Sequence, residues 1–388
     1  MTSIYLPNAS GNIFEYNMSG NACATPRKTG NFNRVAYAAA HVVADPKGRQ
    51  QNDLSVPIDF ETTLKFRKYL WSLGFGIAEV MDTAQRGMGL AWEDAKIIIS
   101  NTISESKLLD DAKVACGVGT DQLKTAPTNL DEVLSAYEEQ LDFVAQLGAT
   151  PIIMASRALR QVADSAEDYL YVYERLLSNC PQGAILHWLG AAFDPALCGY
   201  WGSANIPVAN VTVLDLIERH QDKVQGIKIS LLDKDHEIAF RRELPGCVKL
   251  FTGDDFNYPE LINGDDKGYS DALLGVLDPI APVASQALGH LAAGETEEYF
   301  SLMNPTVPLA RKIFEAPTQY YKAGVVFLAW LNGHQNHFDM LGGFQTNRSA
   351  IHFSEVFQLA DQANLFLDPD KAKSRMKSYL NVNFSQVA

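Results

Sequence analysis

From Arg34 onward, short apolar runs that end in Gly, Asp or Thr alternate with longer stretches of helical period, and this alternation constrains the fold more than any other feature. The runs predict strands at Val35–Val43, Gly76–Met81, Lys113–Cys116, Thr150–Met154, Ala184–Leu189, Val224–Ser230, Val248–Phe251 and a weaker Gly268–Ala272. Between them, amphipathic stretches predict helices at Phe60–Leu73, Ala91–Ser106, Leu130–Leu147, Glu167–Leu177, Val213–His220, Asp233–Arg242 and Tyr258–Ile262. Strand and helix in strict turn favour a parallel sheet. With eight units and no Gly-x-Gly-x-x-Gly after the first strand, a closed (β/α)8 TIM barrel is expected over an open doubly wound sheet.

The barrel is expected over residues 34–294. Ahead of it, Ile4–Leu6 and Ile13–Tyr16 flank the turn-forming Pro7–Asn12, which predicts a hairpin in an N-terminal extension of residues 1–33. After it, helical stretches at Thr296–Met303, Val307–Ala316, Tyr320–Leu331, Ser354–Ala363 and Lys371–Tyr379 predict a C-terminal helical extension over 295–388, packed on the barrel.

Composition narrows the partners. The 388 residues are 47% apolar and 20% charged, enough for a large core. A formal charge of -14 argues against nucleic acid and anionic membrane, which recruit positive surfaces. A small-molecule carbonyl substrate is expected instead, with no cofactor. Five scattered cysteines without a Cys-x-x-Cys pair read as buried thiols of a cytoplasmic protein. No apolar run approaches the roughly 20 residues that span a bilayer.

One lysine stands out. In Gln225-Gly226-Ile227-Lys228-Ile229-Ser230, alternation turns Ile227 and Ile229 toward the surrounding helices and Gly226, Lys228 and Ser230 into the barrel. An unpaired ammonium in a packed core is costly, so a buried amine tends to shed its proton and become a nucleophile toward ketones and aldehydes. Lys249, in Val248-Lys249-Leu250-Phe251, lacks the neighbouring glycine and is read as structural.

In sequence order, five segments resemble the dihydrodipicolinate synthase/N-acetylneuraminate lyase family over roughly Arg34 to Gly294. They are Asp59-Phe60 with its helix and Gly74-Phe75-Gly76-Ile77, Gly117-Val118-Gly119-Thr120, Gly226-Ile227-Lys228, Thr252-Gly253-Asp254-Asp255, and Gly268-Tyr269-Ser270. The resemblance implies a class I lyase on a (β/α)8 barrel, a dimer or tetramer, with Lys228 as the Schiff-base lysine and Gly253 and Ser270 beside the substrate.

Two departures stand out. Where members that take pyruvate carry Gly-Thr-Thr-Gly-Glu, this chain has Met81-Asp82-Thr83-Ala84-Gln85-Arg86-Gly87, which loses one hydroxyl. Asp82, Thr83 and Arg86 are expected to orient the substrate, Arg86 as a bidentate replacement for the lost contact. The family's proton-relaying strand-four tyrosine has no counterpart in Ile152-Ile153-Met154-Ala155-Ser156-Arg157, so Ser156 and Arg157 become substrate-contact candidates. His187 or Trp188, at the end of strand five, is the alternative proton carrier, His187 because imidazole titrates near neutrality.

Remaining candidates are Glu79 as an inward base, His41 at the end of strand one, Asp254-Asp255 as a helix cap, and Gly333-His334-Gln335-Asn336-His337-Phe338-Asp339 as a metal motif, the last without the i, i+4 histidines of a helical zinc site. The expected activity is a metal-independent carbon–carbon lyase, aldolase or dehydratase, with Lys228 as nucleophile and His187 as proton carrier. A divalent-metal aldolase or isomerase on the same barrel, and a non-catalytic metabolite-binding barrel, are the rival readings.

Overall fold

The computed structural model describes residues 3–24, 32–48, 57–82 and 85–383. Eight parallel strands close into a barrel: β3 (Ala36–Ala38), β4 (Gly76–Glu79), β5 (Val114–Val118), β6 (Thr150–Ile153), β7 (Ala184–Leu189), β8 (Val224–Ser230), β9 (Lys249–Thr252) and β10 (Asp271–Leu274), with β10 returning to β3. A separate antiparallel hairpin is formed by β1 (Ser3–Pro7) and β2 (Ile13–Asn17). The expected (β/α)8 barrel, hairpin and C-terminal helices are all present. Among the described residues, no helix is long and apolar enough to cross a membrane.

The chain packs as two compact units. One holds Arg34–Ala40 and Gly76–Leu274, and so contains every barrel strand. The other holds residues 1–33, 41–75 and 275–388, joining the hairpin, the helix Phe60–Ser72 and the helices from Ala281 onward. Within this second unit, Tyr16 Oη and the Ser19 amide both donate to Asp361, which ties the hairpin to helix Ala350–Gln362. His41 and Asp278 pair there through Nδ1 and Oδ2 at 2.8 Å, both buried.

Element boundaries follow local chemistry. Helix Phe60–Ser72 begins where the Asp59 carboxylate accepts from the Thr62 amide, and Leu130–Gln146 where Asn129 accepts from the Glu132 amide. Helix Ile206–Arg219 starts seven residues before the predicted Val213, because Asn205 caps it and Pro207 sits in the first turn, where a missing N–H costs nothing. The first barrel strand is only Ala36–Ala38, shorter than predicted, and the last is shifted to Asp271–Leu274.

The barrel interior is filled by Tyr37, Ala39, Ala78, Met81, Ala115, Ile152, Met154, Ile185, Phe251 and Leu273. Every barrel strand except β8 contributes to this apolar cluster. Strand β8 cannot, because the residues sharing its inward parity are Gly226, Lys228 and Ser230.

Candidate active site

Lys228 lies in the middle of β8, 7% exposed, and its Nζ touches Met81 Sδ at 3.9 Å. Space for it comes from the next strand: a Cβ on Gly253 would lie 2.7 Å from Lys228 Cε and 2.1 Å from Ser230 Oγ. Gly253 is therefore a clearance for the lysine itself. Gly226, the glycine two residues before the lysine, makes room for the Phe251 ring, whose Cε2 would be 2.6 Å from an added Cβ. Lys249, the control lysine, is half-exposed and ion-paired with Asp271 at 2.8 Å.

His187 is the register partner of Lys228 on β7, and adjacent parallel strands put such partners side by side. Its Nε2 is 3.4 Å from Ser230 Oγ, and its buried Nδ1 has no hydrogen-bond partner among the described residues. Burial first, and then the Lys228 charge, hold the imidazole well below its ordinary pKa. The expectation that His187 titrates near neutrality is corrected: it is a neutral base at pH 7. Trp188 faces the other way, packing edge-on against His236 and Phe240 of helix Lys234–Arg241.

The arginine expectation also changes. Arg86 is buried and spends one N–H from Nε and two from each Nη on the protein. Nε and Nη2 grip Asp121 at 2.9 and 2.6 Å, Nη2 also donates to Gln140 at 2.6 Å, and Nη1 reaches the Val80 and Gly117 carbonyls at 3.1 and 3.3 Å. Burial raises the Asp121 carboxyl, but the Arg86 charge and hydrogen bonds outweigh it and hold it below the ordinary value. The bidentate clamp predicted for a substrate carboxylate is thus closed on Asp121. Thr83 lies outside the described residues. Asp82 is buried, and its carbonyl turns the loop by accepting from the Gln85 and Arg86 amides.

Ser270 is corrected more sharply. It precedes β10, at the opposite end of the strand from a catalytic mouth, and its Oγ donates at 2.7 Å to Glu237 on a surrounding helix. Thr252 Oγ1 donates to the same carboxyl at 3.0 Å. Burial pushes Glu237 up to about 8, with the hydroxyl hydrogen bonds opposing. Glu79, a candidate inward base, instead faces the helix layer and accepts from Thr102 at 2.6 Å. Asp254 caps its turn, taking the Phe256 and Asn257 amides, as expected.

A cavity of about 350 Å3 opens beyond strands β5 and β6, lined by Gly119, Thr120, Met154, Ser156, Arg157 and Asp194 among others. Three expected contact residues, Arg86, Ser156 and Arg157, therefore line it together, Arg86 with its N–H groups already engaged. The Ser156 hydroxyl is 2.6 Å from that of Thr120 and also accepts the Leu159 amide. Arg157 pairs with Asp194 at 2.5 Å with its side chain 54% exposed. Lys228 is not on the described cavity wall, but Met154 belongs both to that wall and to the inner cluster that holds Met81.

The metal motif does not assemble. His334 packs against Phe66 and Tyr69, His337 lies 3.6 Å from Asp339, and among the described residues no three His, Cys, Asp or Glu gather to hold an ion. The cysteines are all free, yet only Cys23, Cys116 and Cys180 are buried; Cys198 and Cys247 are exposed, against expectation.

A family model described as "Protein of unknown function (DUF993)" matches residues 4–384. The chain belongs to that family. No curated protein matches its sequence. Among solved structures it is similar to dihydrodipicolinate synthase from Cyanidioschyzon merolae with lysine bound, at 15% identity and TM-score 0.64, covering 86% of this chain and 99% of that one. It is similar to the enzyme from Aquifex aeolicus at 11% identity and TM-score 0.60, covering 90% and 97%. It also resembles YagE of E. coli K12 in complex with pyruvate, at 14% identity and TM-score 0.62, covering 92% and 99%. The likeness read from motif order is thus met in fold, with the barrel of the dihydrodipicolinate synthase structures shared across nearly their whole length.

Proposed function

We propose that this DUF993 protein is a class I carbon–carbon lyase that binds a small carbonyl compound as an imine on Lys228. The observation that carries the reading is an amine buried inside the barrel, with a glycine on the next strand cut away for its Cε. Buried lysines at concave sites are the residues whose amines act as nucleophiles.

The neutral amine adds to the carbonyl carbon, water leaves, and a C=N bond forms. Cleavage of the bond between the α and β carbons sends its electron pair to the iminium nitrogen, giving an enamine, while the β-hydroxyl proton passes to a base as the aldehyde departs. His187 is the candidate base, because it adjoins Lys228 across the strands and is held neutral. Protonation of the enamine carbon and hydrolysis return the amine. Ser156 and Arg157 would hold the distal part of the substrate; Met154 on the cavity wall and Met81 against the lysine, both soft and rotatable, belong to one inner cluster and would adapt to it.

The test is a panel of keto acids, ketoses and aldehydes incubated with the protein and sodium borohydride, followed by intact mass. An adduct that maps to Lys228 supports the imine, and the compound that traps names the substrate class. If no carbonyl compound gives one, the reading fails.

A further inference from the structure

Strand β4 breaks its own alternation one residue after it ends. Ala78 faces the barrel core and Glu79 the helices, so Val80 would be next inward and Met81 outward. The cluster holds Met81 instead, because Val80 takes φ 43°, a left-handed conformation that β-branched residues almost never adopt. Such strain persists only where the surroundings over-determine it, and it gathers at functional sites.

The surroundings do so here. Arg86 Nη1 holds the Val80 carbonyl at 3.1 Å, and Arg86 is itself locked by Asp121 and Gln140. On the neighbouring strand Gly117 allows the close approach: a Cβ there would stand 2.6 Å from Met81 Cα and 2.8 Å from the Val80 carbonyl oxygen. The result of this scaffold is a thioether against the amine, with Met81 Sδ 3.9 Å from Lys228 Nζ.

We propose that Met81 sets the specificity of Lys228, admitting carbonyl compounds whose carbonyl carbon bears uncharged groups and refusing those with a carboxylate attached directly to it. The proposal rests on Lys228 being the imine-forming residue. A thioether offers no hydrogen-bond donor, so a carboxylate pressed against it loses its water without replacement. Among the described residues, two cationic candidates supply no counter-charge to it. Arg86 has given all its N–H groups to the protein, and His187 is kept neutral by burial and by Lys228.

Hydroxyacetone and pyruvate make the comparison, since each is a methyl ketone and they differ in a hydroxymethyl group against a carboxylate. Borohydride trapping rates on the whole protein, each divided by the rate with a simple alkylamine, should favour hydroxyacetone about tenfold or more. M81Q, of similar length but carrying N–H donors, and M81T should shrink or reverse that preference, whereas M81L should keep it; thermal melts report which variants are folded. Equal normalised rates for the two ketones in the unsubstituted protein overturn the proposal, as does an unchanged preference in folded M81Q and M81T. Failure of every carbonyl compound to trap overturns the imine itself, a result distinct from either.

Discussion

Replacing Gly253 by alanine tests the clearance that makes Lys228 usable. The added Cβ would fall 2.1 Å from Ser230 Oγ, 2.7 Å from Lys228 Cε and 2.7 Å from the Ile229 carbonyl oxygen. The first two can rotate away. The third is main chain of β8 and accepts the Gly253 amide at 2.8 Å, so strand separation has to give. Overpacking of this kind costs about 1–3 kcal/mol, read as a lower urea midpoint at unchanged slope. Moving Lys228 Cε by about 1 Å would slow imine formation on the order of 100-fold. G226A is the matched control: its Cβ meets the Phe251 ring at 2.6 Å and the Lys249 carbonyl at 2.7 Å, at comparable cost to stability, and its three nearest contacts include no Lys228 atom. The assay is borohydride trapping of a reactive ketone by each folded variant. G253A trapping within twofold of the unsubstituted rate, or G226A slowed as much as G253A, would refute the reasoning.

Two further outcomes follow from buried charge. R86M leaves Asp121 without its main partner and should cost about 3 kcal/mol in urea unfolding, with R86M/D121N recovering part of the loss; independent, additive effects would contradict the clamp. Glu237 rises to about 8 in the fold from 4.5, so its protonated form contributes stability that is complete below pH 4.5 and lost as pH climbs through 8, on the order of 5 kcal/mol. E237Q should therefore flatten the decline in thermal stability between pH 5 and pH 9, and parallel pH profiles for the two proteins would sink that account.

The fold was legible because periodicity is a property of neighbours: eight apolar runs and their intervening helices carry the barrel in their spacing, and the order of glycine motifs points to Lys228 and Gly253. What failed depends on partners distant in sequence. Arg86 reads as an available guanidinium until Asp121 and Gln140, 35 and 54 residues away, are found holding it. Ser270 reads as a mouth residue because its motif comes in the right order, yet the strand begins only after it and Glu237 takes its hydroxyl. His187 reads only as a histidine at the end of strand five; its place beside Lys228 comes from the register of β7 on β8, and its protonation from burial that no local pattern encodes. The inward turn of Met81 had no sequence signal at all, since nothing in Glu79-Val80-Met81 announces a valine with positive φ. A break in strand alternation next to an arginine and opposite a glycine is the nearest thing to one.

The central claim is an imine at Lys228, and reductive trapping followed by peptide mapping tests it most directly. The protein incubated with hydroxyacetone and borohydride should gain the mass of one reduced adduct on the peptide carrying Lys228, and K228M, folded to the same melting temperature, should gain none. No adduct with any carbonyl compound, or an adduct on another lysine that persists in K228M, would contradict it.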